Sequence, residues 1–117
     1  MPHHGHRRAD ARSLELHRAA FEKLSRHPEL RVAALGLVER WLEREEVRSS
    51  KRWLEEWRDM LSSWTLAAMV EHVLDAEGGQ VLRQCSPLSP VLTPRERWAV
   101  LREVNKRLAA EERGHSR

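Results

Sequence analysis

The side chains in this sequence best equipped for chemistry are few: His17, His72, the lone Cys85, the histidines His3, His4 and His6, and a run of basic residues near the end. His17 and His72 can serve as general bases only if folding brings them beside acidic groups. A small hydrolase centred on His17 would further require that its ring line an open cleft. Cys85 has no arranged base or helix N-terminus beside it and reads as a small apolar side chain rather than a reactive thiol. If the initiator methionine is lost, Pro2-His3-His4 would offer an amine, amides and an imidazole to copper or nickel, but a mobile tail is the better reading. There is no His-Glu-x-x-His, Glu-x-x-His or cysteine pair, no phosphate-binding glycine loop and no nucleophile elbow. The expectation is therefore a protein that is not an enzyme and holds neither metal nor cofactor.

The basic residues Arg95, Arg102, Lys106 and Arg113 align on one side of the last predicted helix and could track phosphates. Glu96 and Glu103 flank them, and Glu103 is placed to pair with Lys106 and Arg107, so a solvated face is the competing reading. A tight helix-turn-helix is missing, because the segment before this helix is too long and irregular. Charge is uneven: Arg7, Arg8 and Arg12 stand against Asp10 in residues 1–12, and seven basic residues against four acidic ones in 94–117, for a whole-chain charge of +3. That excess is too small to argue for nucleic acid by itself. A nucleic-acid-binding regulator remains the alternative reading.

The elements that must position these residues read as helices throughout. With 117 residues, 40% apolar and 33% charged, the chain fits one domain with a single core and no need of disulfides. Ser13 is the expected cap of a first helix ending near His27, with Leu14, Ala20, Phe21 and Leu24 on one face and His17 in its middle. Most such histidines are core residues with a partnered ring; a functional role is the other option. Pro28 suits the first position of a second helix, in which Leu30, Ala34, Leu37, Val38 and Trp41 repeat up to about Glu45. Ser49-Ser50 precedes a third, and Ser62-Ser63-Trp64-Thr65 separates it from a fourth closed by Gly78-Gly79. A short helical turn fits 81–84. Thr93-Pro94-Arg95-Glu96 then has the form of a capping box, opening a last helix with Trp98, Leu101, Val104 and Leu108 on one side and fraying within 111–114. Nothing alternates with strand period. The expected fold is an all-α, single-domain bundle of about five helices, with 1–12 as a flexible basic tail, 13–112 as the helical domain and 113–117 as a flexible C-terminus.

Two apolar features stand out within that frame. Five tryptophans against one phenylalanine and no tyrosine make the aromatic surface almost wholly indole, and each indole N–H needs a partner. Trp53, Trp57 and Trp64 share a face of the third helix. The proline-punctuated segment Arg83-Gln84-Cys85-Ser86-Pro87-Leu88-Ser89-Pro90-Val91-Leu92 is the second: too apolar for a solvated loop, it must pack on this chain or on a partner. Trp53, Trp57, Trp64, Leu88, Val91 and Leu92 are therefore the expected partner-binding residues. No apolar run is long enough to cross a bilayer and no signal-peptide core follows the N-terminus, so a cytoplasmic location is expected, in keeping with the single thiol.

Ser13-Leu14-Glu15-Leu16-His17-Arg18, Leu82-Arg83-Gln84-Cys85-Ser86-Pro87-Leu88 and Val91-Leu92-Thr93-Pro94-Arg95-Glu96-Arg97-Trp98 resemble a group of small all-helical bacterial proteins associated with toxin–antitoxin type operons, beside nucleotidyltransferase-like genes. The resemblance covers about residues 13–107. This chain departs from it by carrying Leu88 and Pro90 where such proteins have a phenylalanine and a glycine in the loop. The resemblance implies a non-enzymatic bacterial protein that binds another protein, a nucleotidyltransferase-like toxin, and holds it inactive; a homo-oligomer is a further option.

Overall fold

Six helices form among the described residues of the computed structural model, which are 3–44 and 49–115 with the side chains of 3–7 and 115 excepted. They are α1 (His3–Arg26), α2 (Leu30–Leu42), α3 (Lys51–Ser63), α4 (Leu66–Val73), α5 (Gly79–Gln84) and α6 (Pro94–His115). No strand accompanies them among those residues, so the all-α expectation holds. No helix among them is long and apolar enough to cross a membrane.

α3 is the centre of the bundle because its apolar side is the widest. Leu54, Trp57, Met60 and Leu61 are all buried on it, and they meet Phe21 and Leu24 of α1, Ala34 and Val38 of α2, Met69 and Val73 of α4, and Leu82 of α5. α2 lies along α3, and Arg31 fastens the pair: its Nε donates to the Leu61 carbonyl at 2.8 Å and one Nη to that of Met60 at 2.7 Å. These are acceptors of the last turn of α3, where a cation also meets the negative end of the helix dipole. The chain then turns at Trp64, and the Thr65 hydroxyl caps α4 by accepting from the Ala68 N–H at 3.1 Å.

Several boundaries differ from the sequence expectation, each for a physical reason. α1 does not start at a Ser13 cap; it begins at His3, and Ser13 lies inside it. The added turns carry tertiary partners: Asp10 accepts from Arg83, Arg12 from α1 donates to Asn105 at 2.8 Å, and Arg8 pairs with Glu112. Residues 3–12, expected as a tail, and 111–115, expected as a frayed end, are thus helical. Pro28 stands in a tight turn before α2, its carbonyl accepting from Arg31, and Glu29 takes the cap position. α4 closes at Val73, well before Gly78-Gly79, and Gly79 instead opens α5.

The capping box forms as expected. The Thr93 N–H donates to Glu96 Oε1 at 2.8 Å, and the Glu96 N–H to Thr93 Oγ1 at 3.2 Å. The same Glu96 oxygen accepts from Lys23 Nζ at 2.6 Å, tying the start of α6 to the end of α1. Lys23 first, then the Thr93 N–H, holds the Glu96 carboxyl down to about 2 from an ordinary 4.5. Because the folded value is the lower one, the unfolded chain takes the proton first. The contribution of this carboxylate is therefore complete above about pH 4.5 and fades as the pH falls toward about 2. Thermal melts across that range are expected to lose part of their acid sensitivity in Glu96→Gln; an unchanged pH profile would refute the linkage.

Candidate interaction surface

The proline loop is part of the core. Pro87 and Val91 are sealed and Leu88 is 4% exposed, while the Ser86 hydroxyl accepts from the Leu88 N–H at 3.2 Å and the Val91 N–H donates to the Leu88 carbonyl at 3.0 Å. A turn that satisfies its own backbone lets an apolar loop bury its side chains. Leu92 is half-buried. The tryptophans of α3 also part company. Trp57 is wholly buried and its Nε1 donates to the Leu82 carbonyl at 2.8 Å. Trp53 is half-buried beneath the Arg52 guanidinium, 4.5 Å from its ring centre, and Trp64 is exposed at the end of the helix against His72. The expected single surface from Trp53, Trp57, Trp64, Leu88, Val91 and Leu92 is therefore not formed: Trp57, Leu88 and Val91 are spent on one buried core, which the loop joins beside Leu16, His17 and Ala20 of α1.

His17 is also a core residue. Its ring lies between Phe21 and Trp57, each 6.5 Å away between centroids, and Nδ1 donates to the Ser13 carbonyl at 2.7 Å. Burial, above all, pushes its imidazole below the usual value, with Arg83 adding to the effect. His17 lines a small cleft of about 110 Å³ together with Ser86, Leu88, Leu92 and Arg97, and within it Nε2 is sealed and has no partner. His72 does meet an acid, its Nε2 lying 2.6 Å from Glu56 Oε1. Burial pushes the Cys85 thiol up, away from the thiolate. Among the described residues no three histidine, cysteine or carboxylate side chains gather as a metal site; the side chains of His3, His4 and His6 lie outside those residues.

The surface of α6 is where the structure adds most. Trp98 was grouped by spacing with Leu101, Val104 and Leu108, yet it is 65% exposed. The reason is its place at the edge of that stripe: α1 covers the side centred on Val104 and leaves Trp98 outside. By helical spacing its neighbours are Arg95, one turn before, and Arg102, one turn after, and both are exposed. No acidic residue stands three or four positions from either arginine. On a 100° wheel the sector holding Trp98, Arg95, Arg102, Asn105, Lys106 and Arg113 contains no carboxylate. The flanking acids point elsewhere: Glu96 to Lys23, Glu103 to the far side of the helix, and Arg107 is drawn to Glu15 at 3.6 Å rather than to Glu103. Arg95, Arg102, Lys106 and Arg113 are all exposed on α6, and Trp98 stands outside the apolar stripe in which its spacing places it.

On the other side of α6 a groove of about 740 Å³ runs along its seam with α1. Its floor is Ala19, Ala99, Ala110, Val100 and Val104, and Val104 is the one buried side chain of α6 among the described residues. No family model, curated protein or solved structure matches this chain.

Proposed function

We propose that this chain is a non-enzymatic interaction module of the bacterial cytoplasm, antitoxin-like in that it acts by holding another protein, and that the surface it uses is the outer face of α6 anchored on Trp98. The observation that carries this reading is a large indole 65% exposed on a rigid helix, bracketed by Arg95 and Arg102 in a sector free of acid. Tryptophan and arginine are the residues most often found to dominate binding energy, and rigid presentation keeps the ordering cost low. The partner's matching surface is acidic, with an apolar recess for the indole. The nucleotidyltransferase-like toxin to which the sequence resemblance points is the partner to try first.

The rival that the same face favours is a single-stranded nucleic acid, stacked on Trp98 with Arg95, Arg102, Lys106 and Arg113 near its phosphates. A protein fits better, because one aromatic offers no platform for successive bases and the net charge is only +3. Calorimetry with the co-purified host protein is expected to show Trp98→Ala weakening the complex by about 2 kcal/mol, roughly thirtyfold, and Arg102→Glu also lowering affinity. Trp53→Ala should change it little. Binding to unstructured oligonucleotides with a steep salt dependence, lost in Trp98→Ala, would transfer the function to the rival.

A further inference from the structure

From the groove between α1 and α6 we infer that two copies of this chain associate through it, each copy laying its α1 over the α6 of the other. The groove lies on the other side of α6 from Trp98, and of the residues in the Trp98 sector only Lys106 reaches its rim.

The first support is how little of α6 is covered. It rests on α1, and of the apolar residues that α6 gives to the groove only Val104 is buried, while Val100 is half-exposed and Ala99 and Ala110 are exposed. The alanines at 19, 99 and 110 leave room for another helix to approach closely.

The second support is the charge on the rims, which selects the occupant. Arg8–Glu112, Arg12–Asn105, Glu15–Arg107 and Lys23–Glu96 fix the antiparallel register of the two helices. In that register Arg18 stands level with Glu103, and Glu15 with Lys106 and Arg107. The six rim charges, three acidic and three basic, cancel, so nothing in them selects a strongly charged partner. A two-fold axis parallel to the helices keeps every level and places α1 over the second α6. Arg18 then faces the second copy's Glu103, and Glu15 faces its Lys106 and Arg107. The surface is complementary to itself in this orientation, as an isologous interface requires. An axis across the helices would instead set the acidic rim of α1, with Glu15 and Glu22, against its own copy.

The paired stretch is about 25 Å long at 1.5 Å per residue and two helices, about 20 Å, wide. A face of that size is at the small end of specific interfaces, so a weak, concentration-dependent association is expected rather than an obligate dimer.

Light scattering or sedimentation of the full chain tests this. The mass is expected to rise from 13.7 kDa toward twice that value as concentration increases. Arg18→Glu and Glu103→Arg should each weaken association about tenfold or more, and the two together should restore it, because the charges are merely exchanged across the interface. Unchanged circular dichroism confirms that the variants are folded. In the unaltered chain, dilution should shift the amide resonances of Ala19, Ala99 and Ala110 and leave the Trp98 indole in place. A mass that stays at one chain up to about 500 µM, where even a weak association shows, would overturn the inference. So would dilution shifts that avoid the groove, or a double exchange as weak as the single ones.

Discussion

Trp57→Ala is expected to remove about 3–5 kcal/mol of stability, a large share of the roughly 5–15 kcal/mol that holds a domain together. The indole is wholly enclosed where α3 meets α1 and α5, so truncation leaves a void lined by side chains from several helices, with no exposed neighbour free to fill it. It also removes the donor that satisfies the Leu82 carbonyl. Trp57→Phe separates the two contributions: most of the apolar area survives but the carbonyl loses its partner, at a cost of about 1–3 kcal/mol. The loss should reach His17, whose ring stacks on the indole and whose imidazole is held down chiefly by burial. A buried neutral imidazole opposes protonation, so the native fold loses stability as the pH drops below the ordinary value of 6.5. In Trp57→Ala water reaches the ring and that acid sensitivity should shrink. Denaturant melts at pH 7 and pH 5 measure both effects. A Trp57→Ala loss below about 1 kcal/mol would show that the indole is not the keystone its burial implies.

The contrast between Trp57 and Trp98 shows what the sequence carried and what it did not. Both sit among apolar residues at helical spacing, so periodicity puts both on an inner face. What separates them is the direction from which a neighbouring helix arrives: α2 and α5 pack on α3, and His17 of α1 and Leu82 of α5 close over Trp57, whereas only the Val104 side of α6 is covered by α1. That is tertiary geometry, absent from any local pattern. The same holds for α1, whose first turns persist because Asp10 and Arg12 find partners 73 and 93 positions away. Local chemistry fared better. The Thr93–Glu96 box and the break at Ser62–Thr65 are short-range effects of side chain on backbone, visible in the residues themselves, whereas the apolar proline loop was visible but not whether this chain or a partner would cover it. The basic stripe of α6 was also legible. Where the neighbouring Glu96 and Arg107 turn was not, because Lys23 and Glu15, both on α1, decide it.

Arg83→Met is expected to cost about 3 kcal/mol, although the substitution keeps the volume and removes a buried charge. The guanidinium is enclosed beside the end of α4, where one Nη donates to the Val73 carbonyl at 2.7 Å and the Asp75 carbonyl at 3.0 Å. The Val73 carbonyl is one that the short α4 leaves unpaired at its negative end, whereas the Asp75 carbonyl also accepts from the Gly79 N–H at 3.1 Å; methionine offers a donor to neither. The other Nη reaches Asp10 Oδ1 at 3.0 Å and so ties α1 to this corner. Asp10 itself is 39% exposed and can return to water. Asp10→Asn, which keeps an acceptor in place, should therefore cost less than about 1 kcal/mol. Arg83→Lys cannot span both arms of the fork and should fall between the two. Gly79 belongs to the same unit: a Cβ there would lie 2.1 Å from the Val73 oxygen and 2.7 Å from the Nη that binds it. Gly79→Ala must displace that contact, so its cost and that of Arg83→Met should combine to less than their sum. If Arg83→Met were no worse than Asp10→Asn, the arginine would owe its place to the ion pair; a clearly larger loss assigns it to the carbonyls that end α4.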